Sequence, residues 1–246
     1  MLLRTLLTIT FLFSSLAQAE DLKTGLTNES ALGYVITGGN SESESTSFKQ
    51  NSTYSWTRDL LRLQGHYLQS EGQVQSDANP GQTITRTTAE NWSATLRFER
   101  VLTPKIFSAY VSYGWYGDRF QNVSEGQNTD IGGKYFWVSS ASTKFFSELG
   151  YRYTRELLIS GPTTPQDIVG VGNQNHPEFH YARLYTQVDY AHSKTLALGV
   201  WVEYLPSITD FAEDQRLNYS PYLTSVLIDM NSLKIAYESR YRYKPA

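Results

Sequence analysis

The 246 residues carry 21 basic and 24 acidic side chains, 18 tyrosines, five tryptophans, two methionines and no cysteine. A net charge of −3 with no basic block excludes a nucleic-acid binder working through a cationic face, and the missing cysteines exclude disulfides and a lipidated N-terminal cysteine. The chain is polar on average, and nothing after the first nineteen residues is apolar for long enough to cross a bilayer as a helix.

Residues 1–19 read as a secretory leader. Arg4 is a short basic start, Leu6 to Leu16 is largely apolar, and Ala17-Gln18-Ala19 is a small-x-small cleavage site, with the cut before Glu20. Removing the leader removes Arg4 and no acidic residue, which leaves 20 basic against 24 acidic residues, a net charge of −4. Residues 20–246 contain no linker, charge run or low-complexity tract, so a single domain is expected there.

Gly33-Tyr34-Val35-Ile36-Thr37 is an opening strand that runs into Gly38-Gly39-Asn40. Such a glycine pair suits a phosphate-cradling loop or a β-turn, since glycine and asparagine tolerate positive φ. The segment that follows carries Phe48, Tyr54 and Trp56 at strand spacing, with no helix N-terminus and no lysine-threonine pair. Gly38 to Ser45 is therefore expected to be a loop between two strands.

Period-two alternation then recurs along the chain. Trp92, Ala94, Leu96 and Phe98 alternate with polar residues, as do Phe107, Ala109, Val111, Tyr113 and Trp115. Phe145, Leu149, Tyr151 and Tyr153 share one parity, and so do Leu196, Leu198, Val200, Val202 and Tyr204. In the last segment Leu233, Ile235, Tyr237, Tyr241 and Tyr243 face one way, and Lys234, Glu238, Arg240 and Arg242 the other. A soluble sandwich strand can alternate in the same way. Segments of about ten residues exceed the usual sandwich strand and match a tilted membrane strand.

The connections alternate too. Thr57 to Asp59, Leu102 to Pro104, Ser139 to Ser142, His192 to Lys194 and Asp229 to Asn231 are short. Between them lie Glu71 to Thr85, Asp118 to Glu125, Leu157 to Pro177 and Pro206 to Glu213. Short turns at one end and long loops at the other are the plan of an outer-membrane barrel. The expected fold is an all-β, up-and-down antiparallel transmembrane β-barrel of about twelve strands. Trp56, Trp92, Trp115, Trp137, Tyr204 and Tyr243 suit its interfacial aromatic girdles.

The opening Gly33 to Ser41 stretch resembles that of a bacterial domain of unknown function whose members carry the description salt-induced outer-membrane protein. Further matching residues are Gly117-Asp118-Arg119-Phe120, Ile131-Gly132-Gly133-Lys134-Tyr135 and Glu148-Leu149-Gly150-Tyr151-Arg152-Tyr153. The resemblance spans nearly all of residues 20–246. It implies an outer-membrane β-barrel without an established biochemical activity, and it brings no catalytic residue. Members of that family run on past the Tyr-Lys-Pro region into one more strand ending in an aromatic residue. About eleven strands can be counted here, so either two strands are merged in the count or, which is the expectation, the closing strand is missing after Tyr243-Lys244-Pro245-Ala246. The Gly33 and Lys234 strands would then pair in parallel or leave two open edges.

Charges of both signs occupy the parity expected to face the lumen. They are Arg62, Arg97, Glu99, Lys134, Glu148, Arg152, Arg183, Glu203, Glu238, Arg240 and Arg242, joined by Glu156, Asp189 and Lys234. They read as neutralising salt bridges that rigidify a small barrel, or else as a narrow polar passage. In His176-Pro177-Glu178-Phe179-His180 the two histidines would stand about 13 Å apart in an extended strand, too far for one metal ion. His66 and His192 lack a nucleophile motif beside them, and no Gly-x-Ser-x-Gly occurs. No catalytic residue, metal or cofactor is expected. The expected partners are outer-membrane lipid and the barrel-assembly machinery, with no nucleic acid and an unidentified solute. The role is an envelope one under osmotic stress or a narrow polar channel. The alternatives are an outer-membrane hydrolase, in which His66 or His180 would matter, and a secreted soluble β-sandwich.

Overall fold

A computed structural model describes residues 8–13, 24–37, 43–75, 83–119, 123–158, 177–209, 211, 214–228 and 231–243. Among them there is no helix. The strands are β1 (Thr8–Phe13), β2 (Gly25–Thr37), β3 (Ser43–Trp56), β4 (Asp59–Gln75), β5 (Thr83–Thr103), β6 (Phe107–Asp118) and β7 (Val123–Ser139). They continue as β8 (Thr143–Leu158), β9 (Glu178–Ala191), β10 (Leu196–Pro206), β11 (Gln215–Ile228), β12 (Asn231–Ala236) and β13 (Ser239–Tyr243).

Each strand from β2 to β11 pairs antiparallel with its sequence neighbour. β12 and β13 both pair with β11, through Ala236↔Tyr222 and Ser239↔Tyr219, so they are two parts of one strand in unbroken register. The eleven strands counted in the sequence are thus β2 to β11 and this last, divided one. In the uncleaved chain the closing position is filled. β1 lies there, antiparallel to β12 through Phe11↔Leu233 and to β2 through Phe11↔Leu32. It comes from the stretch read as a leader. An antiparallel strand satisfies both edges at once, which a parallel β2–β12 contact would not do as well.

The strands outrun the expected loops. β4 continues to Gln75 and β5 begins at Thr83, so Glu71, Gly72 and Gln73 belong to the sheet, past a bulge at Ser70/Glu71. The polar composition of that stretch suggests a loop, but backbone pairing tolerates polar side chains on both faces. The expected loop Leu157 to Pro177 and the Gly38-Gly39-Asn40 turn fall almost wholly outside the described residues.

The two faces of the sheet have opposite chemistry. Leu149 is 66 %, Leu32 63 %, Leu26 62 % and Ile131 60 % exposed, and all four point outward. The most enclosed residues include Glu156 at 1 %, Glu148 at 4 %, Asp130 at 5 % and Arg183 at 7 %. A soluble sandwich encloses its apolar parity between two sheets; here one sheet turns that parity outward. Aromatic rings gather at both ends. Trp56 packs near Phe98, and Trp137 meets Tyr135 edge to face and stacks on Phe145, close to the short turns. Trp92 meets Trp115 edge to face, and His180 packs on Tyr151 and Tyr153, close to the long loops.

Candidate functional site

Register places the inward side chains in rows that cross the strands. Arg62, Arg97, Ser112, Asp130, Arg152 and Tyr181 are successive facing positions from β4 to β9. Lys134, Glu148, Tyr185, Glu203, Asn218 and Arg240 form a second such row from β7 to β13. A spacing of two along each strand delivers one charge per row, so a single alternating pattern repeated on several strands condenses into one cluster.

That cluster is a closed ionic network. The Arg97 guanidinium donates to both carboxylate oxygens of Glu148, at 2.7 and 3.1 Å, and to Glu99 at 3.1 Å. Arg183 donates to Glu148 at 2.5 Å, to Glu203 at 2.7 Å and to the Tyr110 hydroxyl at 2.8 Å. Arg152 forks onto Asp130 at 2.6 and 2.8 Å and reaches Glu203 at 3.2 Å. Lys134 stands 3.6 Å from Glu99, which also accepts from the Ser108 hydroxyl at 2.6 Å. Arg97, Lys134, Arg152 and Arg183 therefore balance Glu99, Asp130, Glu148 and Glu203. Removing charges from water is costly, and only dense hydrogen bonding of this kind offsets it.

Small residues make room for the network. Gly132 faces Gly150 across β7 and β8, and the Tyr110 hydroxyl lies over both. A Cβ on Gly132 would stand 2.6 Å from the Leu149 carbonyl oxygen and 2.7 Å from that hydroxyl. The Tyr110 ring in turn carries the Arg97 guanidinium, 3.8 Å from its centroid.

Seven of the expected lumen residues join this network: Arg97, Glu99, Lys134, Glu148, Arg152, Arg183 and Glu203. Arg62 faces Arg97 and, among the described residues, bonds to the Thr53 hydroxyl at 3.4 Å and joins no ion pair. Glu238 and Arg240 lie on a different wall, with Arg240 on Glu238 at 2.8 Å and Lys49 on Glu238 at 3.7 Å. Arg240 also reaches across to Asp118 of β6, at 3.8 Å. Arg242 faces Arg216 in the backbone register, and its side chain is outside the described residues. Asp130 and Tyr110 escaped the sequence reading. Stepping back by twos from Lys134 through Gly132 reaches Asp130, so the signal was present. Glu156 is enclosed as expected and pairs with Arg216 at 2.9 Å, a partner that was not foreseen.

Between the two walls lies a cavity of about 860 Å³. A third row borders it, uncharged throughout: Asn51, Gln64, Thr95, Gly114, Asn128 and Thr154. His66 lines it as well, with no hydrogen bond or ion pair among the described residues. His180 points outward on β9, bonded to the Tyr151 hydroxyl at 2.5 Å. The two histidines are thus on opposite faces of the sheet. His176 is outside the described residues, and among the described residues no three His, Asp or Glu side chains gather to hold a metal ion.

Residues 30–246 match a family model described as "Protein of unknown function, DUF481". No curated protein matches the chain. Among solved structures, a "Bacterial polysaccharide outer membrane secretin" aligns over 97 % of this chain and 98 % of its own at 9 % identity, with a TM-score of 0.34.

Proposed function

We infer that the chain, which belongs to this family of unknown function, is an outer-membrane β-barrel protein with a charge-filled lumen and an envelope role. The observation that carries this reading is the inversion of the two faces. Leu149, more than half exposed, sits beside Glu148, almost wholly enclosed, on one strand. Water would not favour a continuous outward band of Leu, Ile, Val and aromatic side chains, whereas hydrocarbon would. The aromatic groups at both ends suit the two headgroup layers.

Outer-membrane lipid is then the main partner, and the barrel-assembly machinery the route of insertion. A role under osmotic stress rests on the sequence resemblance alone. The lumen network argues for a barrel that is stiffened by ion pairs over one that conducts freely, and no catalytic role is assigned to it. Cleavage near Ala19 would also take β1 out of the ring. The slot between β2 and β12 must then receive another antiparallel strand if no edge is to lie bare in hydrocarbon.

The test is to express the full chain, isolate outer membranes, and compare gel mobility in detergent with and without boiling, with intact mass to locate the N-terminus. A membrane-borne band that shifts on boiling supports the reading. A soluble periplasmic band overturns it.

A further inference from the structure

Among the described residues the cavity meets the ionic network at Arg152 and Glu203 and is otherwise separate from it. Arg62, Arg97, Glu99, Lys134 and Glu148 do not line the cavity; the uncharged row does, and so does the wall bearing Lys49, Lys234, Glu238 and Arg240. The surface offered to an occupant is amides and hydroxyls on one side and, on the other, Lys49, Lys234 and Arg240 set among the carboxylates of Glu29, Asp118 and Glu238.

Several of these groups have bonding capacity to spare. Lys234 has no ion pair among the described residues, and its ammonium stands 4.5 Å from the centroid of the Tyr222 ring. The side-chain carbonyl oxygens of Asn51 and Asn91, both in the cavity wall, are buried without a hydrogen-bond partner. Both oxygens are turned away from the open space, so an occupant meets them only if the amides rotate. The Asn128 amide lies directly over Gly114, where a Cβ would come within 2.3 Å of its Oδ1. The absent side chain is what lets that amide lie along the wall.

We propose that this cavity binds a short acidic saccharide, with its hydroxyls on the amide row and a carboxylate on Lys234. Amide side chains both donate and accept, which suits a hydroxyl that does the same. An ammonium that makes no ion pair among the described residues, though Glu29 and Glu238 share its cavity, supplies the charge-assisted bond. The volume falls in the usual range for small-molecule sites and exceeds what one monosaccharide fills. The proposal rests on the barrel reading, because only a ring encloses this space.

The experiment uses the full chain purified in detergent, with titration calorimetry against digalacturonate, lactose and citrate. Mobility before and after boiling is checked in every sample, so loss of the barrel is separated from loss of the site. Digalacturonate is expected to bind, with lactose and citrate each much weaker. Lys234→Met should weaken digalacturonate by about tenfold or more while leaving the residual lactose binding unchanged. Asn128→Leu should weaken both saccharides. No binding of digalacturonate to a heat-modifiable barrel overturns the proposal. Equal binding of lactose removes the role of Lys234, and equal binding of citrate removes that of the amide row; either result also overturns it.

Discussion

Arg97 and Glu148 meet through two hydrogen bonds although their strands, β5 and β8, are not neighbours. The pair spans the interior and ties walls that backbone pairing leaves independent. With Arg183 on the same carboxylate, Glu148 is the acceptor on which two guanidinium groups converge.

Replacing that carboxylate should therefore be costly. Glu148→Gln leaves Arg97, Arg183 and Lys134 with one negative charge too few in an enclosed space. A loss of about 3–5 kcal/mol is expected, the usual effect of breaking a buried pair from one side. Urea unfolding of the lipid-reconstituted barrel measures it. The double variant Arg97→Met/Glu148→Leu should recover part of the loss, since the charges are again balanced.

The outward neighbour tests the other face. Leu149→Arg places a charge where Leu149 is 66 % exposed between the two aromatic belts. About 2–4 kcal/mol of destabilisation is expected in lipid vesicles if this position lies near the middle of the bilayer. The same variant should change little in a protein that folds in water, so comparing folding with and without vesicles checks the direction.

Gly132→Ala probes the contact between β7 and β8. The new methyl would meet the Leu149 carbonyl oxygen at 2.6 Å, an atom of the backbone that cannot turn away. Overpacking of this kind costs about 1–3 kcal/mol. A lower temperature for the mobility shift on heating is the expected outcome. Gly25→Ala, with open space around the Cβ position, is the matched control.

Planar-bilayer recording addresses the lumen directly. The wild-type barrel should pass little or no ionic current, because the network from Arg97 to Glu203 occupies the interior. Arg97→Ala/Glu148→Ala removes two large side chains together with their charges and should raise the conductance clearly. A large current through the wild type would mean that the network leaves a wide path.

The strands and the facing of their residues were readable because a period of two is a local property, visible within ten residues. Leu149 out and Glu148 in follows from five residues of β8. Which charges touch one another was not readable. Arg97 and Glu148 are 51 positions apart, and their meeting depends on the shear of the whole ring. The division of the lumen into a network and a cavity likewise arises from the cross-strand rows, which no single segment contains. Asp130 was missed for a simpler reason, since Gly132 separates it from the next charge of its parity. The length of β5, 21 residues, was hidden because turn-forming composition and paired backbone are compatible.

Among the described residues the ladder between β1 and β2 runs from Thr10↔Gly33 to Phe13↔Ser30, whereas β2 and β3 pair from Gly25↔Ser55 to Thr37↔Ser43. A ring parts where it is held by the fewest bonds. Amides on the β1-facing side of β2 should exchange with solvent deuterium early, and heating should unroll the barrel into a sheet with β2 and β1 as its ends. This makes the seam a hinge line along which the wall can part sideways, toward the lipid, while the ionic lattice across β5 to β10 keeps its shape.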